Sequence, residues 1–188
     1  MTDFAVTAST ILKEIGACLE KVSPQSIDRA IQEISNAKRV FAAGAGRSGV
    51  AMRGFTNRVM HLGKTVHLVG DITTPSIGTG DLLLIGSGSG RTDSLVAMAT
   101  KAKKIGALLL LITIDPKSPI GELADCVVEI PAPSPKATNA SRAVTSIQPM
   151  GSLFEQSLFV LLDTLIVLLM RKDTISAESM YARHANLE

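Results

Sequence analysis

The sequence predicts a single α/β domain in which helices cover both faces of a doubly wound, five-stranded parallel sheet. Short apolar segments alternate along the chain with segments of helical spacing, as in folds built from strand–helix–strand units. The segment Ala107–Ile114 is almost continuously apolar, which is typical of a central parallel strand. The 188 residues, 46% of them hydrophobic, are enough to bury one core. Right-handed crossovers between the strands then produce three layers.

Residues 1–37 are predicted to form two helices that precede the sheet. Their apolar residues recur at helical spacing in two pieces, which Ser23 and Pro24 separate. Serine can cap a helix and proline suits its first turn, so we expect the second helix to begin there. The α/β core then occupies residues 38–171, and residues 175–188 form a C-terminal helix.

The core is predicted to contain five strands and the helices that connect or follow them. The strands are Arg39–Ala43, Thr65–Val69, Leu82–Ile85, Ala107–Ile114 and Val127–Ile130. The helices are Val50–Leu62, Asp93–Ile105 and Ser152–Arg171, followed by a short last helix, Ile175–Leu187.

The most apolar part of the chain is Ser157–Met170, which lies inside the predicted helix Ser152–Arg171. It is shorter than the ~20 residues of a membrane span, and Asp163 lies in its middle. We therefore expect a helix buried in a core or subunit interface, and no membrane association. Residues 131–151 are rich in Pro, Ser, Thr and Ala without a clear period, which predicts a long loop of the kind that is often functional.

Composition and charge exclude several classes of protein. The formal net charge is +2 and the basic residues form no run, so a nucleic-acid partner is not expected. Cys18 and Cys126 are far apart in unrelated apolar settings, which fits a reducing compartment rather than a disulfide framework. The first ten residues lack the basic and apolar regions of a secretory signal. We expect a cytoplasmic protein.

A first glycine loop follows the first predicted strand and opens a helix. Its pattern, Gly44-x-Gly46-x-x-Gly49 with Asp71 at the end of the next strand, formally satisfies the dinucleotide-binding fingerprint. Two observations argue against a dinucleotide: the chain leaves no obvious room for a separate catalytic domain, and a second loop of anion-binding type follows. A dinucleotide-binding site therefore remains the less favoured hypothesis.

The second glycine loop, residues 87–92, reads SGSGRT between a buried strand and a helix N-terminus. Glycines allow close backbone approach, free N–H groups and the positive helix end favour an anion, and three hydroxyls add donors. This chemistry predicts a phosphate site. The spacing is not that of a Walker loop. The alternative is a flexible turn in which Thr92 and Asp93 act as ordinary helix caps.

These two strand–loop pairs together resemble the sugar isomerase (SIS) domain, a flavodoxin-like or Rossmann-like family whose loops bind phosphosugars. The resemblance covers nearly the whole chain. Within that family, residues 146–156 (SIQPMGSLFEQ), the N-terminal helix pair and the final RHANLE resemble the 6-phospho-3-hexuloisomerases.

The resemblance implies interconversion of arabino-hex-3-ulose 6-phosphate and fructose 6-phosphate through an enediol, as in the ribulose monophosphate pathway of formaldehyde fixation. It implies no cofactor or metal, and a homotetramer. Two alternatives stay open: another phosphosugar aldose–ketose isomerase of the same fold, and a non-catalytic sugar-phosphate sensor. Against the sensor, the N-terminal helices show no basic recognition helix.

The resemblance also implies catalytic residues. It makes Glu155 the base that moves the proton, whereas the residue pattern alone favours a capping box in which Glu155 bonds back to Ser152. It makes His184, on a terminal helix too short to stand alone, a catalytic residue in a neighbouring subunit's site. A plain surface histidine is the alternative for His184.

The remaining candidates are predicted to bind the phosphate or the sugar. Arg47 can pair with the phosphate or with the developing enediolate oxygen, and its alternative is a solvated residue at a helix start. Gln148 can orient sugar hydroxyls, and its alternative is packing within the long loop. The predicted substrate-binding set is Gly46, Arg47, Ser48, Ser87, Ser89, Gly90, Thr92 and Gln148.

Overall fold

A computed structural model describes residues 3–133 and 145–187. Its five strands form one parallel sheet in the order β2-β1-β3-β4-β5, which confirms the predicted fold class. The strands are β1 Val40–Gly44, β2 Val66–Leu68, β3 Leu82–Gly86, β4 Leu108–Thr113 and β5 Cys126–Glu129. The helices are α1 Phe4–Leu19, α2 Pro24–Asn36, α3 Gly46–His61, α4 Asp93–Ile105, α5 Pro119–Leu123, α6 Ser152–Lys172 and α7 Ala177–Tyr181.

Three helices differ from the prediction by more than one residue. Helix α3 begins at Gly46 rather than Val50. Glycines lower helix propensity, so the sequence pattern missed this first turn, in which Gly49 packs closely against Gly44. The short helix α5 was not predicted, although Ser118 accepts a capping hydrogen bond from the Gly121 N–H. Helix α7 ends at Tyr181, after which the backbone continues in tight i−3 turns.

The strands bury side chains on both faces, and successive residues alternate between two apolar clusters. Leu82 and Leu84 face the cluster formed with α1, α2, α3 and α6. Leu83 and Ile85 face the cluster formed with α4 and α5. Strand β3 is buried throughout, as expected for a parallel strand covered on both sides.

Helix α6 is the long apolar helix predicted from the sequence, and it packs on the sheet. By length and composition alone it is apolar enough to cross a membrane, but half of that window is buried inside the protein. Its buried side includes Leu158, Leu162, Leu165 and Leu169. The prediction of a helix buried in a core or subunit interface is therefore confirmed for the side of α6 that packs on the sheet.

The strand order places the two glycine loops side by side. The strand order reverses between β1 and β3, and in such parallel sheets ligands bind in the crevice beyond the carboxyl ends of the strands at that point. Gly44 at the end of β1 is in register with Gly86 at the end of β3. The first glycine loop begins at Gly44, and the second glycine loop directly follows Gly86. Of the predicted long loop, residues 134–144 lie outside the described part of the chain.

Candidate active site

The first glycine loop joins the end of β1 to the start of α3 at very short range. A Cβ atom on Gly44 would lie 3.0 Å from the Gly49 backbone, and one on Gly49 would lie 2.8 Å from the Gly44 carbonyl oxygen. Gly46 has φ +57°, a left-handed conformation that glycine adopts without strain. Backbone packing thus explains the outer glycines of the fingerprint without a nucleotide.

The second glycine loop folds on itself through its own serines. The Gly90 N–H donates to Ser87 Oγ at 3.2 Å, and the Arg91 N–H donates to Ser89 Oγ at 3.3 Å. Thr92 is the N-cap residue of α4, but no capping hydrogen bond to its side chain is present in the described structure. The capping alternative is therefore wrong for the Thr92 hydroxyl, which instead faces a cavity.

That cavity has a volume of about 390 Å³ and lies between the two glycine loops and the start of α6. The predicted site residues that line it are Ser48, Ser87, Ser89, Thr92 and Glu155. Residues that sequence reasoning missed also line it, namely Ala45, Gly86, Gly88, Leu95, Ile114, Met150, Gly151 and Phe154. A floor of small residues at the strand ends, hydroxyls at the helix N-terminus and a carboxylate therefore share one cavity.

Glu155 lies in the first turn of α6, and its carboxylate is paired with Arg47. The Arg47 Nε–H donates to Glu155 Oε2 in a short, charge-assisted contact. Gly151, not Ser152, is the N-cap of α6, and within residues 145–187 no side-chain hydrogen bond caps this helix. The capping-box alternative is therefore wrong: the Glu155 side chain reaches α3 instead of its own helix start.

Arg47 does not line the described part of the cavity directly, but it contacts the carboxylate that does. Its guanidinium stays largely exposed, with 64% of the side-chain surface accessible, whereas the Glu155 side chain is 21% accessible. An arginine in this position can hold the carboxylate in one orientation and supply positive charge beside it. No sequence pattern connects these two residues, which lie 108 positions apart.

Gln148 lies at the edge of the site in a segment that is tied to the N-terminal helix. Glu14 on α1 accepts hydrogen bonds from Gln148 Nε2 at 3.0 Å, from the Ile147 N–H at 2.8 Å and from Ser146 Oγ at 2.7 Å. Burial raises the pKa of Glu14, but the three hydrogen bonds together lower it by more. The pKa of Glu14 is therefore below its ordinary value. Gln148 contacts Glu14 rather than the described cavity wall, although Met150, two residues later, lines that wall.

His184 lies at the opposite end of α3 from the cavity. Its ring stacks on His61 at a centroid distance of 5.4 Å and an interplanar angle of 11°. His61 is the last residue of α3 and Ser48 is near the start, so they are separated by roughly 20 Å of helix. Burial lowers the pKa of His61, and the charges of Arg58 and His184 add to this effect. His184 therefore does not reach the cavity of its own chain.

Similarity to known proteins agrees with this geometry. A family model described as the SIS domain matches residues 33–160. The chain belongs to the SIS domain family.

Two similar proteins and one similar crystal structure are described by the same activity, that of a 3-hexulose-6-phosphate isomerase. A 3-hexulose-6-phosphate isomerase of Bacillus subtilis is 42% identical over 178 residues, which cover 95% of each chain. One of Mycobacterium gastri is 44% identical and covers 99% of this chain and 92% of its own. The crystal structure of a Methanococcus jannaschii protein, from which a molecular function of 3-hexulose-6-phosphate isomerase was inferred, superposes with a TM-score of 0.81 at 31% identity over 100% of both chains. The resemblance to this group of SIS enzymes is therefore confirmed.

Proposed function

We propose that the chain is a 6-phospho-3-hexuloisomerase, another name for 3-hexulose-6-phosphate isomerase. One observation carries the proposal: the Glu155 carboxylate and the hydroxyl-glycine loop at the start of α4 line the same cavity of about 390 Å³. The loop supplies the phosphate site, and we call it the phosphate end of the cavity. Glu155 and its partner Arg47 form the carbonyl end. A ketohexose phosphate needs both ends at once.

The phosphate end supports anion binding through three features. Helix α4 directs its positive end and its first N–H groups toward the cavity, because Thr92 at its N-cap lines the wall. The Ser87, Ser89 and Thr92 hydroxyls line the same wall and can donate to phosphate oxygens. Gly90 has φ +59°, a left-handed conformation that lets the loop turn tightly into α4.

The carbonyl end supports the proton transfer. In the 3-ketose, Glu155 takes the proton from C2, the C2–H electron pair forms the C2=C3 double bond, and the carbonyl electrons move to O3. Protonation of O3 gives the enediol. Loss of the proton from O2 and return of a proton to C3 then leave the carbonyl at C2, which is fructose 6-phosphate. No net oxidation occurs, and the guanidinium of Arg47 can stabilise the negative oxygen of the enediolate.

A comparison of substrates tests the proposal. We expect the purified protein to convert hexulose 6-phosphate to fructose 6-phosphate, and to act weakly on arabinose 5-phosphate and glucose 6-phosphate. Preference for one of the latter would identify another aldose–ketose isomerase instead. Binding of the sugar phosphates without turnover of any would identify a sensor.

We further propose that the enzyme is a cytoplasmic homo-oligomer, with a tetramer as the family expectation, in which His184 serves a neighbouring subunit. Support comes from an apolar patch on adjacent helices, where Val50 of α3 and Phe159, Val160 and Val167 of α6 are exposed. His184 would assist ring opening or proton movement from the neighbouring chain. The distance of roughly 20 Å along α3 leaves it no catalytic role in its own chain's cavity.

Mixing of two inactive variants tests this arrangement. Glu155→Gln and His184→Ala are each expected to lack activity as homo-oligomers. When they are unfolded and refolded together, some sites combine an intact Glu155 from one chain with an intact His184 from the other, so activity should return. The double variant mixed with itself is the control and should stay inactive. Absence of recovery in verified mixed oligomers would contradict the proposal for His184.

A further inference from the structure

The loop at the phosphate end is held from outside by the last residue of β4 and the residues that follow it. We call residues 113–120 the brace. The Gly88 carbonyl oxygen accepts from Thr113 Oγ1 at 3.1 Å and from the Ile114 N–H at 3.0 Å. The Gly90 carbonyl oxygen accepts from the Ile120 N–H at 3.3 Å. The brace therefore bonds to the carbonyl groups of the loop, whereas the Gly90 and Arg91 N–H groups donate to the loop's own serines.

Arg91 is the arginine of the phosphate loop, yet the described lining of the cavity does not include it. Its Nη2 donates instead to Asp115 Oδ2 in the brace at 2.9 Å. The Asp115 side chain is 1% accessible, and its second oxygen accepts from the Lys117 N–H at 3.1 Å. A buried carboxylate thus lies one residue from Ile114, which lines the cavity.

A buried negative charge beside a phosphate site is unfavourable unless a cation neutralises it. Charges in a partly desolvated site are weakly screened, and a carboxylate would repel a phosphate dianion. The ion pair between Arg91 and Asp115 removes this repulsion and fastens the loop to the brace in one step. An arginine that is used in this way does not need to touch the ligand.

The brace also fits the loop sterically. A Cβ atom on Gly90 would lie only 2.0 Å from Ser118 Oγ, and Ser118 is fully buried. The loop and the brace are therefore in contact through backbone, hydroxyl and ion pair, with no space for an added side chain at Gly90.

We propose that Arg91 is a positioning residue for phosphate binding: it neutralises Asp115 and holds the loop in its anion-binding shape, and it is not itself a phosphate ligand. This inference rests on the proposed function only for the identity of the anion, a sugar phosphate. It predicts that substitutions of Arg91 and Asp115 have coupled effects on phosphate binding. If Arg91 were a direct phosphate ligand, the effect of its substitution would not depend on Asp115.

A double-mutant cycle tests the coupling. Arg91→Gln leaves Asp115 charged and unpaired, and we expect KM for the sugar phosphate and the dissociation constant of inorganic phosphate to rise about fivefold or more, with kcat little changed. Adding Asp115→Asn removes the uncompensated charge, so the double variant should return to within about twofold of the wild type. Circular dichroism checks that each variant folds. Arg91→Lys keeps the positive charge and checks that the pairing with Asp115 is retained.

The chain offers a matched control at the other end of the sheet. Arg39 pairs with Asp81, which is 3% accessible, at the amino end of β3. Asp81→Asn should lower thermal stability without changing phosphate binding.

The other outcomes are distinguishable. An equal rise in KM for Arg91→Gln with and without Asp115→Asn would make Arg91 a direct ligand and overturn the inference. Unchanged phosphate binding in every variant would also overturn it. Failure of the wild-type protein to bind phosphate or convert the substrate would instead refute the proposed function.

Discussion

The phosphate end of the cavity is one continuous loop, residues 87–92, whereas the carbonyl end is assembled from α3, α6 and the segment 145–151. The loop is held by the brace, which follows the neighbouring strand β4. At the carbonyl end, Glu155 is paired with Arg47, and the segment before α6 depends on Glu14 of α1. The proposed phosphate site is therefore built from adjacent elements, whereas the proposed catalytic geometry depends on contacts between distant parts of the chain.

This difference predicts separate kinetic consequences at the two ends. Changes at the carbonyl end should lower kcat, because they affect Glu155, the proposed base. Changes at the phosphate end should raise KM, because they affect a binding contact made before and during the reaction. Three further substitutions test this division, beginning with the largest expected effect.

Glu155→Gln should lower kcat by about 10²- to 10⁴-fold, the usual contribution of a positioned acid–base group. The amide keeps the shape of the side chain but cannot accept the proton. Steady-state turnover of the hexulose phosphate measures the loss, and binding of inorganic phosphate should not change. Asp163→Asn, at an exposed position on the same helix, is the control. A Glu155→Gln enzyme with normal turnover would show that Glu155 is not the base.

Gly90→Ala should weaken phosphate binding and lower the free energy of unfolding. The added methyl group meets Ser118 Oγ at 2.0 Å and forces a left-handed conformation on alanine. Gly46→Ala is the matched control for stability, because Gly46 has φ +57° but no described atom within 4 Å of its added Cβ. Its cost should be limited to the conformational penalty of about 1–2 kcal/mol. Urea unfolding compares the two, and equal losses would mean that the contact with Ser118 is unimportant.

Glu14→Gln should have the smallest effect, a modest fall in kcat, since it weakens the anchor of the segment before α6. Because the pKa of Glu14 is lowered in the folded protein, its ionised form stabilises the fold above its unfolded pKa, and this contribution is lost as the pH falls through the folded pKa. The stability difference between wild type and variant should therefore be present at about pH 6 and shrink toward about pH 3. A difference that is independent of pH would exclude this role.

Much of the fold was predictable because its signals are local. The alternation of apolar segments and helical spacing lies within a few residues of each element, so the five strands and the helix pair at the N-terminus were found close to their observed bounds. The position of the loop at residues 87–92 was predictable for the same reason, since a strand, a glycine loop and a helix N-terminus follow one another directly. The start of α3 was misplaced because glycine's low helix propensity hid its packing role.

The site was less predictable than the fold. Ser48, Ser87, Ser89 and Thr92 lie on the cavity wall as their loops suggested. For Glu155 the residue pattern favoured a helix cap, and the family resemblance was needed to favour catalysis. The structure excludes the capping box, because Gly151 rather than Ser152 is the N-cap of α6 and the Glu155 carboxylate pairs with Arg47.

The sequence by itself therefore determined the class of fold and the place of the glycine-hydroxyl loop between β3 and α4, since both follow from the order of neighbouring residues. Only the tertiary structure decided the partners of the charged groups: Arg47 with Glu155, Arg91 with Asp115, and Glu14 with the segment at Ile147. These pairs join residues that are 24 to 133 positions apart. The physical reason is that periodicity records which side of an element is buried, whereas charge pairing depends on which elements the folded chain brings together.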